Sequence, residues 1–158
     1  MEMKRKDKEI ASREEIDAVI RGCQVCRLAF AVENEPYVVP VSFGYDGSAL
    51  FFHTAPSGRK IEFIEANNRV CFEFERNVRL QMSTDTACHW AFAFECVIGY
   101  GIVSELTTPV EKARGLNQIM LQYSRKLWEF NGSVLAKTRV WQLQIDSLTG
   151  KRALEKAT

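Results

Sequence analysis

Hydrophobic positions along this chain recur mostly at every second residue, which is the period of a β-strand. The last such pattern places Trp141, Leu143 and Ile145 on one side of a strand. A longer apolar run contains Gly99 and Gly101, which allow a bulge in one strand or a break into a bent pair. The predicted strands cover residues 25–32, 37–43, 49–54, 69–75, 78–82, 90–106 and 140–146.

Three segments have the spacing of helices instead. The first covers residues 13–22 and follows a Ser-Arg-Glu-Glu capping box. The second is short, has its apolar residues within 61–64, and is expected to end at 67–68 in the left-handed conformation. The third covers residues 108–126 and begins with another capping box and a proline at its first helical position. The stretch around Gly132 is predicted to be a loop.

Short strands joined by tight turns, with few helices between them, indicate a mainly β protein. The expected fold is an antiparallel β-barrel with added α-helices. Strict alternation of strands and helices is absent, which disfavours a doubly wound α/β sheet. The chain contains no internal repeat, linker or glycine-rich phosphate loop, so we predict a single domain over residues 1–158, with an N-terminal arm at 1–11.

The composition is that of an ordinary globular protein, with 46% hydrophobic and 26% charged residues. A net charge of +1 gives no general attraction for polyanions, so no nucleic-acid partner is expected and any anion site has to be local. No apolar run approaches the roughly 20 residues of a membrane span, and no hydrophobic leader segment follows the N-terminus. We therefore expect a cytoplasmic protein with no membrane partner.

Five cysteines are an odd number without the spacing of a disulfide framework, which fits a reducing compartment. Cys23 and Cys26 form a C-x-x-C motif, which is redox-active, half of a zinc site, or simply two small buried side chains. A second ligand pair is missing, and the two histidines of the chain are His53 and His89. We favour buried thiols and predict no metal site.

The sequence Ser57-Gly58-Arg59-Lys60 places two adjacent cations at the start of the second helix, after the strand that ends at Thr54. Cations in a first helical turn are unfavourable, because this end of the helix dipole is already positive. A bound phosphate would reverse that, since free backbone N–H groups, the dipole and both cationic side chains would then face the same anion. The alternative is a solvated basic turn in which Ser57 only caps the helix.

Pro40 lies within a strand of good β-forming residues. Because proline cannot donate to a strand ladder, Pro40 marks an edge strand or a strand whose neighbours face something other than another strand. In a hairpin, this strand would lie beside the one that ends at His53 and Thr54. Such an irregular strand next to a phosphate-binding turn could hold a planar ring against backbone groups, with an ordinary edge-strand proline as the alternative.

Five motifs occur together in a specific order and spacing. They are PYVVPVSFGYD, LFFHTAPSGRK, NRVCFEF, VIGYG and the C-terminal SLTGKR. Across about residues 5–152 the chain resembles the flavin-binding split-barrel family related to pyridoxamine 5'-phosphate oxidase, and within it the nitroimidazole-resistance branch. The resemblance implies a six-stranded antiparallel split barrel that forms a homodimer with FMN at the subunit interface.

The resemblance also implies the residues of an FMN site. The positions that the family uses for the phosphate correspond to Thr54, Ser57, Gly58, Arg59 and Lys60. The strand along the isoalloxazine ring corresponds to Val38, Val39, Pro40, Val41 and Ser42. His53 matches the strand-end position beside the flavin, where the resemblance implies a part in the chemistry and packing near the cofactor is the alternative.

Two positions depart from the family's pattern. Cys96 stands near the phosphate or the ring, where relatives usually carry a small polar residue, and a thiol is a weak hydrogen-bonding partner. Glu95 precedes it where relatives often carry a basic residue, so its carboxylate either points away from the phosphate or weakens the site.

The resemblance implies an FMN-dependent oxidoreductase that moves electrons between a nicotinamide or other donor and a small-molecule substrate. The branch points to a nitroreductase acting on nitroimidazole-like compounds. Oxidation of pyridoxamine phosphate is disfavoured, because no basic set for a second phosphate is evident. The alternative is a non-catalytic protein of the same fold that stores or senses flavin or haem. A barrel that has lost its ligand is a third hypothesis, motivated by Glu95 and Cys96.

Overall fold

The computed structural model describes residues 5–154, which form one antiparallel sheet of eight strands with four α-helices. The strands are β1 (Glu9–Ile10), β2 (Cys26–Val32), β3 (Glu35–Val41), β4 (Gly44–Tyr45), β5 (Ala49–Thr54), β6 (Arg69–Gln81), β7 (Ala91–Leu106) and β8 (Arg139–Ala153). The helices are α1 (Arg13–Arg21), α2 (Arg59–Ala66), α3 (Pro109–Ser124) and α4 (Gly132–Lys137). Single 3₁₀ turns occur at Lys6–Lys8 and Ala87–His89.

The strands follow the order β3-β2-β6-β7-β8-β5-β4, and the short β1 pairs with β8. Leu28 on β2 and Phe52 on β5 come from opposite regions of this order, yet both belong to the same buried cluster. The sheet therefore curls around a shared core, while β3 and β4 lie at its two ends. Apart from the two-residue strands β1 and β4, six strands build the barrel, and the predicted fold class is confirmed.

The helices cover the barrel and complete its core. Helix α1 buries Ile16, Val19 and Ile20 in the main cluster, as its helical spacing predicted. Helix α3 packs directly on β4, where a Cβ atom added to Gly44 would lie 2.3 Å from the backbone carbon of Gln118. A side chain at position 44 would therefore have to displace the helix backbone.

The predicted helix starts are confirmed, whereas one predicted helix end is wrong. The Ser12 side chain caps α1, and the capping box that begins at Thr108 is complete at the start of α3. Asn67 follows α2 in an extended conformation with φ −152°, and not in the left-handed one. Its side-chain amide donates a hydrogen bond to the Ala31 carbonyl on β2 at 2.9 Å, which holds the end of α2 against the sheet.

The C-terminal half contains more regular structure than the sequence indicated. The region around Gly132 forms α4, capped by the Asn131 side chain, where a loop was predicted. Helix α3 ends at Ser124, two residues earlier than expected. The last strand extends to Ala153, well beyond the predicted end at residue 146.

A bulge in β6 changes which side chains face the core. The register between β6 and β7 shifts by one residue between Arg76 and Arg79, and Asn77 has a φ of 56°. Before the bulge, even-numbered residues such as Phe74 are buried, whereas Leu80 after the bulge is exposed. An extra residue in one strand has this effect because side chains alternate between the two faces of a sheet.

As a result, the side of the β6–β7 pair that points away from the core carries a row of large apolar side chains, interrupted by Cys96 and by the carboxylates of Glu73 and Glu75. We call this row the outer face; its members are 36–55% exposed. They are Val78, Leu80, Phe92, Ile98, Tyr100 and Ile102.

Part of the predicted N-terminal arm belongs to the sheet. Residues 1–4 of the predicted arm lie outside the described part of the chain, but Glu9 and Ile10 pair with Lys151 and Gly150 of β8. The Ile10 side chain is 2% exposed and belongs to the core. None of the helices within residues 5–154 is both long and apolar enough to cross a membrane.

Candidate functional site

The turn between β5 and α2 has the backbone shape that an anion site requires. Gly58 occupies the N-cap position with φ 137° and ψ 168°, a region that is almost restricted to glycine. Ser57 does not cap the helix, so this part of the alternative interpretation of the turn is wrong. A Cβ atom added to Gly58 would meet no atom within 4 Å, which shows that the space above the turn is open.

The first backbone N–H groups of α2 to find an acceptor within the helix are those of Ile61 and Glu62, which both bond to the Gly58 carbonyl. The N–H groups of Arg59 and Lys60 precede them and have no acceptor among residues 5–154. Free N–H groups at a helix start carry a partial positive charge. An anion placed here would satisfy both groups.

Lys60 is half-buried and has no carboxylate within ion-pair distance in the described part of the chain. Burial lowers the pKa of its ammonium group, because a charge loses hydration in this position. Partly buried charges usually have a partner of opposite sign. An anion is therefore the group whose presence would best stabilise this side chain.

Arg59 already has a partner within the chain. Its guanidinium forms an ion pair with Glu35 at the start of β3 and lies over the rings of Tyr37 and Phe63, 5.1 and 5.4 Å from their centroids. Both charged side chains are more than half exposed, so the ion pair is of the weak kind found at surfaces. Arg59 thus connects the turn to β3, although an incoming anion has to compete with Glu35 for it.

His53 lies at the exposed end of β5, close enough to Lys60 for the two side chains to interact electrostatically. Loss of hydration and then the positive charge of Lys60 lower the pKa of the imidazole below its usual 6.5. The ring is therefore mostly neutral at pH 7 and becomes a proton donor only as the pH falls. This weakens the role in acid catalysis that the sequence predicted, unless an anion offsets the charge of Lys60.

A group of residues that the sequence does not point to holds the turn in place. The Trp141 indole N–H donates to the Thr54 hydroxyl at 3.0 Å, and Arg139 lies 4.6 Å above the indole ring. Arg139 bonds Glu105 through two nitrogens, at 2.9 and 2.6 Å, and Glu65 on α2 at 2.9 Å. The sequence carries no direct signal for these contacts, because they depend on the pairing of β8 with β5 and β7.

Strand β3 is an edge strand, as Pro40 predicted. A two-residue turn at 33–34, with φ of 49° and 68°, joins it to β2 in the geometry of a type I′ hairpin. Hydrogen-bonded and non-hydrogen-bonded pairs alternate from such a turn, so Pro36, Val38 and Pro40 direct their backbone groups toward the open edge. Since proline lacks an N–H, Val38 supplies the donor and all three residues supply carbonyl acceptors.

The predicted neighbour of β3 is wrong. Strand β3 pairs with β2, whereas β5 pairs with β8 and β4. The two segments meet instead through Arg59, which reaches from the turn to the start of β3. Along β3 the side chains of Val39 and Val41 pack against the core, while Val38, Pro40 and Ser42 are exposed.

The described contacts of Cys96 involve neither the turn before α2 nor β3. It lies on β7 between Glu75 and Lys151, and its thiol faces the Glu73 carboxylate at 3.7 Å. Burial and the charge of Glu73 raise the pKa of the thiol to about 12. Cys96 is therefore a neutral side chain in the middle of the sheet, and its predicted contact with the cofactor stays a prediction.

Glu95 is paired within the protein. Its carboxylate accepts hydrogen bonds from Arg76 at 2.9 Å and from Asn77 at 2.6 Å. Burial opposes its ionisation, but these bonds outweigh it and the pKa of Glu95 lies below its ordinary value. Its charge is thus balanced beside the bulge of β6.

The thiols of the C-x-x-C motif are both buried and both free. Burial raises the pKa of Cys23 to about 11 and that of Cys26 well above its usual value. Reactive cysteines have lowered pKa values and are accessible, so these two side chains have the properties of core residues.

A family model described as pyridoxamine 5'-phosphate oxidase matches residues 12–152. Among solved structures, a proposed 5-nitroimidazole antibiotic resistance protein from Bacteroides thetaiotaomicron VPI-5482 is 29% identical, with a TM-score of 0.81 over 90% of this chain and 85% of that chain. An uncharacterized protein from Rhizobium meliloti (strain 1021) is 31% identical over 64 residues. That match spans 40% of this chain and 42% of that protein, which is less than half of its length.

Two more distant structures share the fold. A flavocytochrome from Azotobacter vinelandii is 17% identical, with a TM-score of 0.82 over 98% of this chain and 73% of that chain. An FAD and heme binding protein from Mycobacterium smegmatis is 16% identical, with a TM-score of 0.82 over 96% and 77%. The family model extends from the start of α1 almost to the end of β8, and the chain therefore belongs to the pyridoxamine 5'-phosphate oxidase family.

Proposed function

We propose that this protein binds FMN at the turn between β5 and α2 and works as an FMN-dependent oxidoreductase. The observation that carries the proposal is the half-buried ammonium of Lys60, which has no carboxylate partner in residues 5–154 and lies in the first turn of α2. The dianionic phosphate of FMN would pair with this charge and with the two free N–H groups. Family membership and the flavin proteins that share the fold support a flavin as the cofactor.

The residues present fit both ends of FMN. At the phosphate end, Arg59, Lys60, their N–H groups and the Thr54 hydroxyl are all able to donate, and the open space above Gly58 admits the anion. At the ring end, the free N–H of Val38 lies among carbonyl acceptors along the edge of β3. The pyrimidine edge of a flavin alternates acceptors and a donor, so this edge suits it.

When bound, FMN supplies the electron transfer, and the protein supplies orientation and electrostatics. His53 is the side chain next to the turn that can donate a proton to a reduced substrate. A phosphate at Lys60 would offset the charge that lowers the pKa of His53, so cofactor binding should raise this pKa. The site would then become a better proton donor only when it is loaded.

We expect His53→Ala to keep FMN but to slow substrate reduction by about tenfold, below the usual contribution of a general acid because the ring is mostly neutral near pH 7. In the unmodified protein the rate should rise as the pH falls through the lowered pKa of His53. In the variant this dependence should disappear. A pH profile of single-turnover rates checks both points, with His89→Ala as the control. If the variant has full activity and an unchanged pH profile, His53 only packs near the cofactor and takes no part in the chemistry.

Glu35→Gln is expected to strengthen FMN binding by about two- to fivefold, because it frees Arg59 from a surface ion pair of modest strength. Flavin fluorescence titration at low salt measures the effect. Glu33→Gln removes the same charge from the neighbouring turn but leaves the partner of Arg59 in place, so it should have the smaller effect. Equal gains in both variants would mean that only the general field has changed.

We also propose that the site is completed by a second copy of the chain. The outer face carries large apolar side chains that are 36–55% exposed, and exposed apolar patches mark interaction surfaces. A twofold arrangement is the commonest way for such a face to be covered by an identical one. FMN would then lie at the subunit interface, as the family resemblance implies.

We propose nitroaromatic compounds, such as 5-nitroimidazoles, as substrates and a nicotinamide as electron donor, on the likeness to the Bacteroides protein. The test is absorbance of the FMN-loaded protein without oxygen. Bleaching by NADH or NADPH, followed by reoxidation with a 5-nitroimidazole, would support an enzyme. With the nicotinamide in excess an amine should form, because this product takes six electrons and the flavin has to be reduced three times for each nitro group. A second candidate, a flavin store without turnover, is supported if the flavin binds but does not bleach.

A further inference from the structure

We infer that Trp141 is a positioning residue of the anion site: its indole N–H orients the Thr54 hydroxyl so that this hydroxyl donates to the bound phosphate. The inference rests on the proposed function, because it concerns the same turn. It adds a residue from β8 to a site that β5 and α2 otherwise build.

The chemistry of the contact decides the direction of the hydrogen bond. An indole N–H is only a donor, so the Thr54 oxygen has to accept at the observed distance of 3.0 Å. The single hydrogen of the hydroxyl then points elsewhere, and no acceptor for it occurs among the described residues. With one lone pair of the oxygen occupied, the hydroxyl is set to donate. A phosphate is an acceptor at every oxygen and suits this orientation.

Trp141 is held firmly enough to act in this way. Its side chain is 2% exposed and stacks on Phe52, its cross-strand partner on β5, with the ring planes 15° apart. Thr54 lies diagonally from it, two residues farther along β5, within reach across adjacent strands. Arg139 covers the indole and also bonds Glu65 on α2, so β8 fixes both the beginning of the turn and the helix that follows it.

The test compares the affinities of the protein for FMN and for riboflavin, which lacks the phosphate. Trp141→Phe keeps an aromatic ring but removes the N–H, and it should weaken FMN binding by about three- to tenfold, the effect of one misdirected hydrogen bond. Riboflavin binding should not change. Thr54→Val should lower FMN affinity by the same factor, and the double variant should lose no more than either single one, because both changes remove one interaction.

Two further variants isolate the hydrogen bond. Trp128→Phe is the matched control, because the Trp128 indole N–H donates to the Ser124 hydroxyl at 2.9 Å away from this turn. It should leave both affinities unchanged. If Trp141→Phe does not fold, 3-benzothienylalanine at position 141 keeps the bicyclic shape and removes only the N–H. A selective loss of FMN affinity with that residue would support the inference.

Equal losses for FMN and riboflavin, unchanged FMN affinity, or additive losses in the double variant would overturn the inference. The proposed function fails in a different experiment. If Arg59 and Lys60 can be removed without effect on FMN, the phosphate does not bind at this turn at all. If their removal abolishes FMN binding while Trp141→Phe leaves it intact, only the role of Trp141 is wrong.

Discussion

Replacing Arg59 and Lys60 together with alanine is expected to weaken FMN binding by about two to four orders of magnitude, because two charge-assisted contacts of about 1.5–3 kcal/mol each are lost. Most of the effect should come from Lys60. Its charge has no carboxylate partner in residues 5–154, so no internal ion pair is given up when it binds an anion. Arg59 has to leave Glu35 first, which reduces its net contribution.

Fluorescence titration with FMN and with riboflavin measures this prediction. Riboflavin affinity should be nearly the same in the variant, since only the phosphate contacts are removed. The chain offers a matched control in Arg125 and Lys126, an adjacent Arg-Lys pair that follows α3 and is exposed. Their replacement by alanine should leave both affinities unchanged. Unaltered FMN affinity in the Arg59 and Lys60 variant would remove the phosphate from this turn.

Introducing Leu80→Glu and Phe92→Glu together is expected to convert the proposed dimer to monomers and to abolish FMN binding. The two residues are cross-strand partners at the end of the outer face nearest the β6–β7 connection, 50% and 55% exposed. Against an identical copy, both carboxylates would be buried without partners. Because each such charge costs several kcal/mol, the dimer dissociation constant should rise by about a thousandfold or more.

Sedimentation equilibrium with and without FMN checks this expectation. Val110→Glu is the control: it adds a carboxylate to an exposed valine in the first turn of α3, where the helix dipole tolerates a negative charge. That variant should remain dimeric and should bind FMN. If the double variant stays dimeric, the outer face is not the interface; if it becomes monomeric and still binds FMN tightly, the site does not need a second copy.

The sequence predicts the parts of the fold that depend on local pattern. Apolar runs and alternating apolar residues locate the long strands, although β6 is predicted as two strands at 69–75 and 78–82. Capping residues such as Ser12 and Thr108 locate helix starts, because these signals act within one element. The end of α2 differs because Asn67 bonds to Ala31, more than 30 positions away in the chain. Helix α4 is missed for a similar reason: it is short, and the ammonium of Lys112 on α3 holds its C-terminal carbonyls.

In the candidate site too, features that depend on local sequence can be predicted, and features that depend on distant contacts cannot. The cationic turn and the edge strand can be found from the chemistry of neighbouring residues, since proline restricts the backbone and glycine permits conformations that other residues avoid. The partner of Arg59 cannot be predicted in this way, because Glu35 comes close to it only when α2 packs on the β2–β3 hairpin. Trp141 reaches Thr54 only through the register of β5 and β8, which the residue pattern of either strand alone does not specify.

The two prolines of β3 have a consequence for how the protein behaves when it is concentrated. An exposed edge strand normally invites an incoming chain to extend the sheet, which is a common start of fibre growth. With Pro36 and Pro40 in the positions that face outward, a newcomer would find one amide where a regular strand offers three. Even without its ligand, the protein should therefore resist edge-to-edge aggregation on this side.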